Sequence, residues 1–256
     1  MREIEKNFET VASVILGKPV GQLQDYEEWL LSCSPEARIV EKKSVDSGKS
    51  VYSCSAPFFL DLGDRVVRVD EALKRGQMKL GEKDVNSLSI SNAPKLLSEI
   101  SITTPEIVYG ENFGTEECSA YGPTQQCFRT TTCWFCKHIA YSYWTRTSNN
   151  CFGCSLVTDC SFCIKCYNST KLLRCLEVDT SNSCADCLFC HNCENLSNCM
   201  FCFNVKNLQY AIFNVKLSRE KYLEVKKRIV ESMVGELEKT KSLRYNIFNF
   251  CKGRKK

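Results

Sequence analysis

Sixteen cysteines lie between positions 118 and 202, and every step from one to the next is a multiple of three. Residues 1–117 hold only Cys33 and Cys54, and only Cys251 follows Cys202. If cysteines fell at random, so many agreements in succession would arise with odds of roughly one in ten million. The same register is filled out by Tyr121, Thr124, Thr130, Ile139, Ser142, Thr145, Ser148, Val157, Ser169, Leu172, Val178, Ser181, Leu196, Val205, Leu208 and Ala211. None of these is charged, although 25% of the chain is. One face of the segment is therefore buried and built from small side chains. A period of three is neither helical nor that of a plain strand, so the chain must wind.

Rows of twelve residues sharpen this. One column reads Cys127, Ile139, Cys151, Cys163, Cys175, Cys187, Cys199 and Ala211. The next reads Phe128, Ala140, Phe152, Ile164, Leu176, Leu188, Met200 and Ile212, apolar in every row. Phe189, Phe201 and Phe213 also recur at twelve. Four inward positions per coil describe a mainly β chain: a narrow, parallel, right-handed β-solenoid of about eight coils, each ~4.8 Å above the last. A triangular coil of eighteen residues satisfies the period of three as well. Asp159, Asp186, Asn192, Asn195, Asn198, Asn204 and Asn207 sit beside inward positions and suit left-handed corners. Asn192 and Asn204 are placed to form an amide ladder.

Three regions follow: 1–110, N-terminal and helical or mixed; 111–215, the solenoid; 216–256, a helix and a basic tail. Residues 1–48 read as helical, with stripes Phe8, Val11, Val14, Ile15, Leu16 and Leu23, Tyr26, Trp29, Leu30. Residues 41–50 read as a polar linker, Val51–Leu60 as a strand, and 68–75 and 93–100 as helical pieces. A helix over 218–240 is capped by Ser218 and lined by Tyr222, Val225, Ile229, Met233 and Leu237. The outward apolar column needs a cover, which this helix or the N-terminal region supplies. The N-terminal region is also expected to close one solenoid end, with 205–217 leading away from the other.

A net charge of +4 is too balanced for a dedicated nucleic-acid polycation. No apolar run approaches the ~18 residues of a membrane span. The charged start of the chain lacks a signal core, so a reducing cytoplasm is expected. No Ser/His/Asp or Cys/His set stands out, and Gly48-Lys49-Ser50 lacks the first glycine of a phosphate loop; the expectation leans away from an enzyme. Cys133, Cys136, Cys151 and Cys154 have paired CxxC spacing, and Cys184, Cys187, Cys190 and Cys193 form CxxCxxCxxC. Either set suits Zn²⁺ or an iron–sulfur cluster. Packed neutral thiols without a cofactor are the preferred reading, because the register already explains the spacing. Disulfides between residues six apart, such as Cys160/Cys166, remain a third. Trp134, Phe135, Tyr141, Tyr143 and Trp144, mixed with Arg129, Lys137 and Arg146, form an aromatic and basic cluster suited to a protein contact or to stacked nucleobases.

The runs Asn150-Cys-Phe-Gly-Cys154, Cys184-Ala-Asp-Cys-Leu-Phe-Cys-His-Asn-Cys193 and Asn198 to Asn214 resemble a family of cysteine-rich repeat proteins of uncultivated bacteria and archaea. Its members close their repeats with a similar Asn-x-Gln-Tyr-x-Ile-Phe-Asn run and a helix holding Glu-x-Tyr, as in Glu220-Lys221-Tyr222. The resemblance spans about 110–230 and implies a fold but no catalytic residue. Many members place a zinc-ribbon pair ahead of the repeats, which residues 1–110 do not match. The coil is also similar to that of insect antifreeze solenoids, but the Thr-x-Thr ladder that binds ice is missing. The expected role is a scaffold that presents solenoid faces to a protein partner or its own copy. A cysteine-based metal or redox module and a single-strand nucleic-acid binder are the alternatives.

Overall fold

The structure, a computed structural model, describes residues 2–55, 63–98 and 100–250. From Ile107 the chain winds into a parallel β-solenoid of about nine turns. Residue n pairs with n + 12 throughout, as in Cys151 with Cys163, Val157 with Ser169 and Leu176 with Leu188. The first strand is the exception and reaches its partner at thirteen, Ile107 with Ala120, whereas Asn112 already pairs with Thr124. The twelve-residue coil therefore holds, and the eighteen-residue one does not.

Each triplet has one backbone rule. The inward residue is followed by an outward one, and then by a residue with φ near +50°, from Gln126 through Phe213. These left-handed residues turn the chain at every side. Asn150, Asp159, Asn192, Asn195 and Asn204 accept that geometry readily, but Leu156, Phe162, Lys165 and Glu177 adopt it too. For such side chains it costs roughly 1–2 kcal/mol each, so the ladder above and below must enforce it. Asn192 Nδ2 donates to Asn204 Oδ1 at 2.8 Å, and Asn195 to Asn207 at 2.7 Å, forming the expected amide ladders. Phe189, Phe201 and Phe213 stack with ring centroids 5.3 and 5.5 Å apart.

All sixteen cysteines of this segment are buried. They are more than small and oily. Cys151, Cys163, Cys175, Cys187 and Cys199 each direct Sγ at the carbonyl two residues back, at 3.3–3.4 Å. The inward amide of the next coil finds an acceptor in the side chain beneath it. Cys166 N–H donates to Cys154 Sγ at 3.4 Å, Leu172 N–H to Cys160 Sγ at 3.4 Å, Cys154 N–H to Ser142 Oγ at 3.0 Å and Cys193 N–H to Ser181 Oγ at 3.0 Å. Cys, Ser and Thr share the register because each is small and offers a lone pair to a buried N–H that must be satisfied.

The apolar outward column is covered from both termini. Helix α1 (Glu3–Leu16) lies along the strands around Ile139, Cys151 and Cys163, with Phe8 edge-on to Phe152 at 5.2 Å. Helix α2 (Glu27–Leu31) follows, and Leu23, Tyr26, Trp29 and Leu30 are buried as expected. Val14 departs from its stripe and is 44% exposed. Three short helices come next: α3 (Val69–Arg75), α4 (Glu82–Asn86) and α5 (Ala93–Leu97). The long helix α6 (Arg219–Thr240) covers the upper coils, with Lys221 N–H donating to Ser218 Oγ and Tyr222, Met233 and Leu237 buried.

Two expectations are corrected. Residues 39–50 are not helix and linker: Ile39–Lys43 forms an antiparallel hairpin with Ser50–Cys54, the start of the strand expected from Val51. β-branched Ile39 and Val40 favour the strand, and Gly48, at φ +70°, closes the turn. The remainder of the expected strand through Leu60, and the tail from Cys251, lie outside the described residues. The N-terminal helices lie along the solenoid's flank. The first coil is tied to α3, within the N-terminal region, where Val69 N–H donates to Glu106 at 2.8 Å. Residues 205–217 do not lead away: Gln209–Ile212 adds a last parallel strand and Val215–Lys216 folds back antiparallel on it. Asn214 then bonds both backbone groups of Phe203 at 2.9 Å. The Asn207–Asn214 run is this terminating turn.

Candidate functional site

The two four-cysteine sets are placed differently. Cys133 and Cys136 are successive inward positions, while Cys151 and Cys154 lie eighteen residues, one and a half coils, further on. Between them run Ile139 and Thr145; Cys151 pairs with Ile139, and Thr145 stacks on Cys133. The structure does not bring these four together. Cys184, Cys187, Cys190 and Cys193 take successive inward corners around one turn. Cys187 has Cys184 and Cys190 beside it and Cys175 and Cys199 below and above. Among the described residues no three Cys, His, Asp or Glu side chains converge as a metal-binding group. Burial pushes the thiols of Cys118, Cys133, Cys151, Cys166 and Cys175 well up, which keeps them neutral. Cys163 and Cys127 stand in the same inward column. His191, off the inward register, is half-buried and bonds the buried Asp179 at 2.7 Å.

The aromatic and basic cluster divides between two sides. Tyr141 is 1% exposed, edge-on to Phe128, and donates to Glu27 at 3.3 Å. Arg129 joins it there, bonded to Glu27 and Glu117 at 2.7 Å. Tyr143 is half-buried against the helical cover. The others stay outside. Trp134 stacks on Tyr109 at 4.9 Å, Phe135 is 61% exposed, and the Arg146 guanidinium lies 5.1 Å over Trp144. Tyr109, Trp134, Phe135, Arg146, Thr147 and Thr158 line a shallow concavity of about 540 Å³. Their place around the coil fixes this division: Trp134 and Arg146 share one rung pair, while Tyr141 lies on the side that the helices cover.

One chemical group escaped the sequence reading. Lys165 and Glu177, twelve apart, are both fully buried with Nζ 3.7 Å from Oε1. Lys165 Nζ donates to the Trp29 carbonyl at 2.7 Å and to Ser32 Oγ at 2.8 Å. Glu177 Oε2 accepts the Ile247 N–H at 2.9 Å. The pair thus clasps α2, the solenoid and the segment after α6. Burial pushes the Glu177 carboxyl up to about 7, against the pull of Lys165. The signal available in the sequence was a second pair of opposite charges, Lys165 and Glu177, in the column that also holds Glu117 and Arg129. Among the described residues no helix is long and apolar enough to cross a membrane. No protein-family model matches the chain, and no curated protein matches it, so the functional reading rests on fold and geometry.

Proposed function

We propose that the protein is a non-enzymatic scaffold that presents solenoid faces to a protein partner or to its own copy, in a reducing cytoplasm and without a bound metal or cluster. The observation that carries this reading is the exposed aromatic side formed by Tyr109, Trp134, Phe135 and Trp144 on a rigid ladder, beside a core whose thiols are all buried. Aromatic residues and Arg146 are the side chains that anchor protein contacts, because they cover much area at little entropic cost. Packed thiols that bond the backbone, as Cys154 and Cys160 do in accepting the Cys166 and Leu172 amides, account for cysteine in the register without a cofactor. The test is affinity capture with the full chain against Phe135→Ala/Trp144→Ala. The reading expects a discrete partner that the variant loses. Equal capture by both proteins, or no stoichiometric partner, would overturn it.

Single-strand nucleic-acid binding is the second reading, favoured by Arg146 over Trp144 beside the stacked Tyr109 and Trp134. It requires oligonucleotide affinity that falls steeply with salt. The metal or redox reading requires near-stoichiometric Zn or Fe in anaerobically purified protein.

A further inference from the structure

A groove of about 740 Å³ lies off the solenoid, between the C-terminal end of α1 and one side of α6. Its floor is apolar, with Val14, Leu16, Leu223, Val230 and Val234. Val14 and Leu223 remain 44% and 43% exposed. Two glycines stand in its wall, and a Cβ added to either would meet nothing within 4 Å. Gly17 is accounted for: it ends α1 in the left-handed region, at φ +81°. Gly235 is not. It sits inside a 22-residue helix, where glycine is unfavourable, and no neighbour in the chain uses the space it leaves. Charge on the rim is ordered along α6, with Lys226 and Lys227 toward its start and Glu231 and Glu238 toward its end. Glu238 pairs with Lys18 at 2.8 Å. Lys226, Lys227 and Glu231 have no ion pair among the described residues.

We propose that this groove receives a second copy of the chain, α6 against α6, antiparallel about a two-fold axis near Val230. Leu223, Lys227, Val230, Val234 and Glu238 recur at three and four residues, so they share one side of the helix. A two-fold axis presents the same patch twice, which requires a patch complementary to its own reverse. This one is: antiparallel placement sets Lys226 and Lys227 of one copy level with Gly235 and Val234 of the other. There they lie within about one 5.4 Å turn of the second copy's Glu231 and Glu238. The bare Gly235 admits the lysine stems and the close approach of the second helix. A partner of one charge sign would suit only half of the rim. This surface is separate from the solenoid side invoked above and does not depend on it.

The experiment is sedimentation velocity on the full chain over a wide concentration range. The wild type is expected to show a reversible monomer–dimer equilibrium. Lys226→Glu/Lys227→Glu and Glu231→Lys/Glu238→Lys are each expected to dissociate at least about tenfold more readily, and an equimolar mixture of the two to regain a heterodimer. At concentrations where both are monomeric, Gly235→Leu should melt no lower than the wild type, since its side chain meets open space, yet it should lose the dimer at higher concentration. A wild type that stays monomeric, a mixture no better than either variant alone, or a dimer that survives Gly235→Leu would overturn the proposal. So would a lowered melting temperature in that variant where both proteins are monomeric.

Discussion

The solenoid and the three short helices over 69–98 are built from the same chain with opposite economy of structure. In the solenoid Cys151, Cys163, Cys175 and Cys187 are all 0% exposed, and each inward side chain stands on the one twelve residues before it. Helices α3, α4 and α5 bury no residue at all, and Leu73, Val85 and Ile90 are 76%, 66% and 93% exposed. Repetition lets one rule, applied per triplet, supply core, hydrogen bonds and register together. A helix of five to seven residues has no such support and lies well below the ~12–15 residues that sustain a helix alone in water. Local opening at low free energy is expected in 69–98 and only near global unfolding in 127–212.

The sharpest break in this contrast is an attack on the clasp that ties the solenoid to its cover. Glu177→Ala or Lys165→Ala leaves a buried charge without its partner and is expected to cost about 3–5 kcal/mol in urea denaturation. Lys165→Met/Glu177→Leu, which removes both charges, is expected to lie much nearer the wild type. The pH dependence has a definite sign. The folded carboxyl keeps its proton up to about 7, whereas an ordinary glutamate loses it near 4.5. This site's contribution to stability is therefore complete below pH 4.5, falls as pH rises, and is lost by passage through 7. Glu177→Gln should flatten the stability profile across that interval.

Next in size is Gly153→Val. Gly153 has φ +66°, and a Cβ there would lie 2.8 Å from the Leu30 carbonyl. Strain and displacement of α2 together are expected to cost about 3 kcal/mol, read by thermal melting. Smaller again is the amide acceptor role of the thiols. Cys154→Ala strands the Cys166 N–H and is expected to cost about 1–2 kcal/mol, whereas Cys154→Ser keeps an acceptor and should cost less. If alanine and serine behave alike, the thiols serve as volume only. The smallest effect is expected outside the solenoid: Ile90→Ser should change stability by under about 0.5 kcal/mol.

What the sequence revealed follows the same divide. The inward register, the twelve-residue coil, the apolar column, the amide ladders and the Ser218 cap were legible because each recurs or has a local signature. The acceptor role of the thiols was not, because it appears only once one coil is set on the next. Left-handed Phe162 and Lys165 were hidden since the ladder, and not their own preference, imposes the turn. The second strand of the hairpin was legible from Val51, but the first, Ile39–Lys43, was missed because it is short and charged over Glu41–Lys43. The Lys165–Glu177 clasp depends on Trp29, Ser32 and Ile247, which are remote in sequence. The division of the aromatic cluster followed from the register, but only the cover over Tyr141 makes it visible.

The central claim is that the solenoid thiols face the axis, buried and hydrogen-bonded, in stacked coils. Alkylation of the reduced native protein, read residue by residue by peptide mass spectrometry, tests it most directly. Partly exposed Cys33 should react readily, while Cys163, Cys175 and Cys187 stay unmodified until denaturant is added. Modification of those three under native conditions at the rate of Cys33 would contradict it.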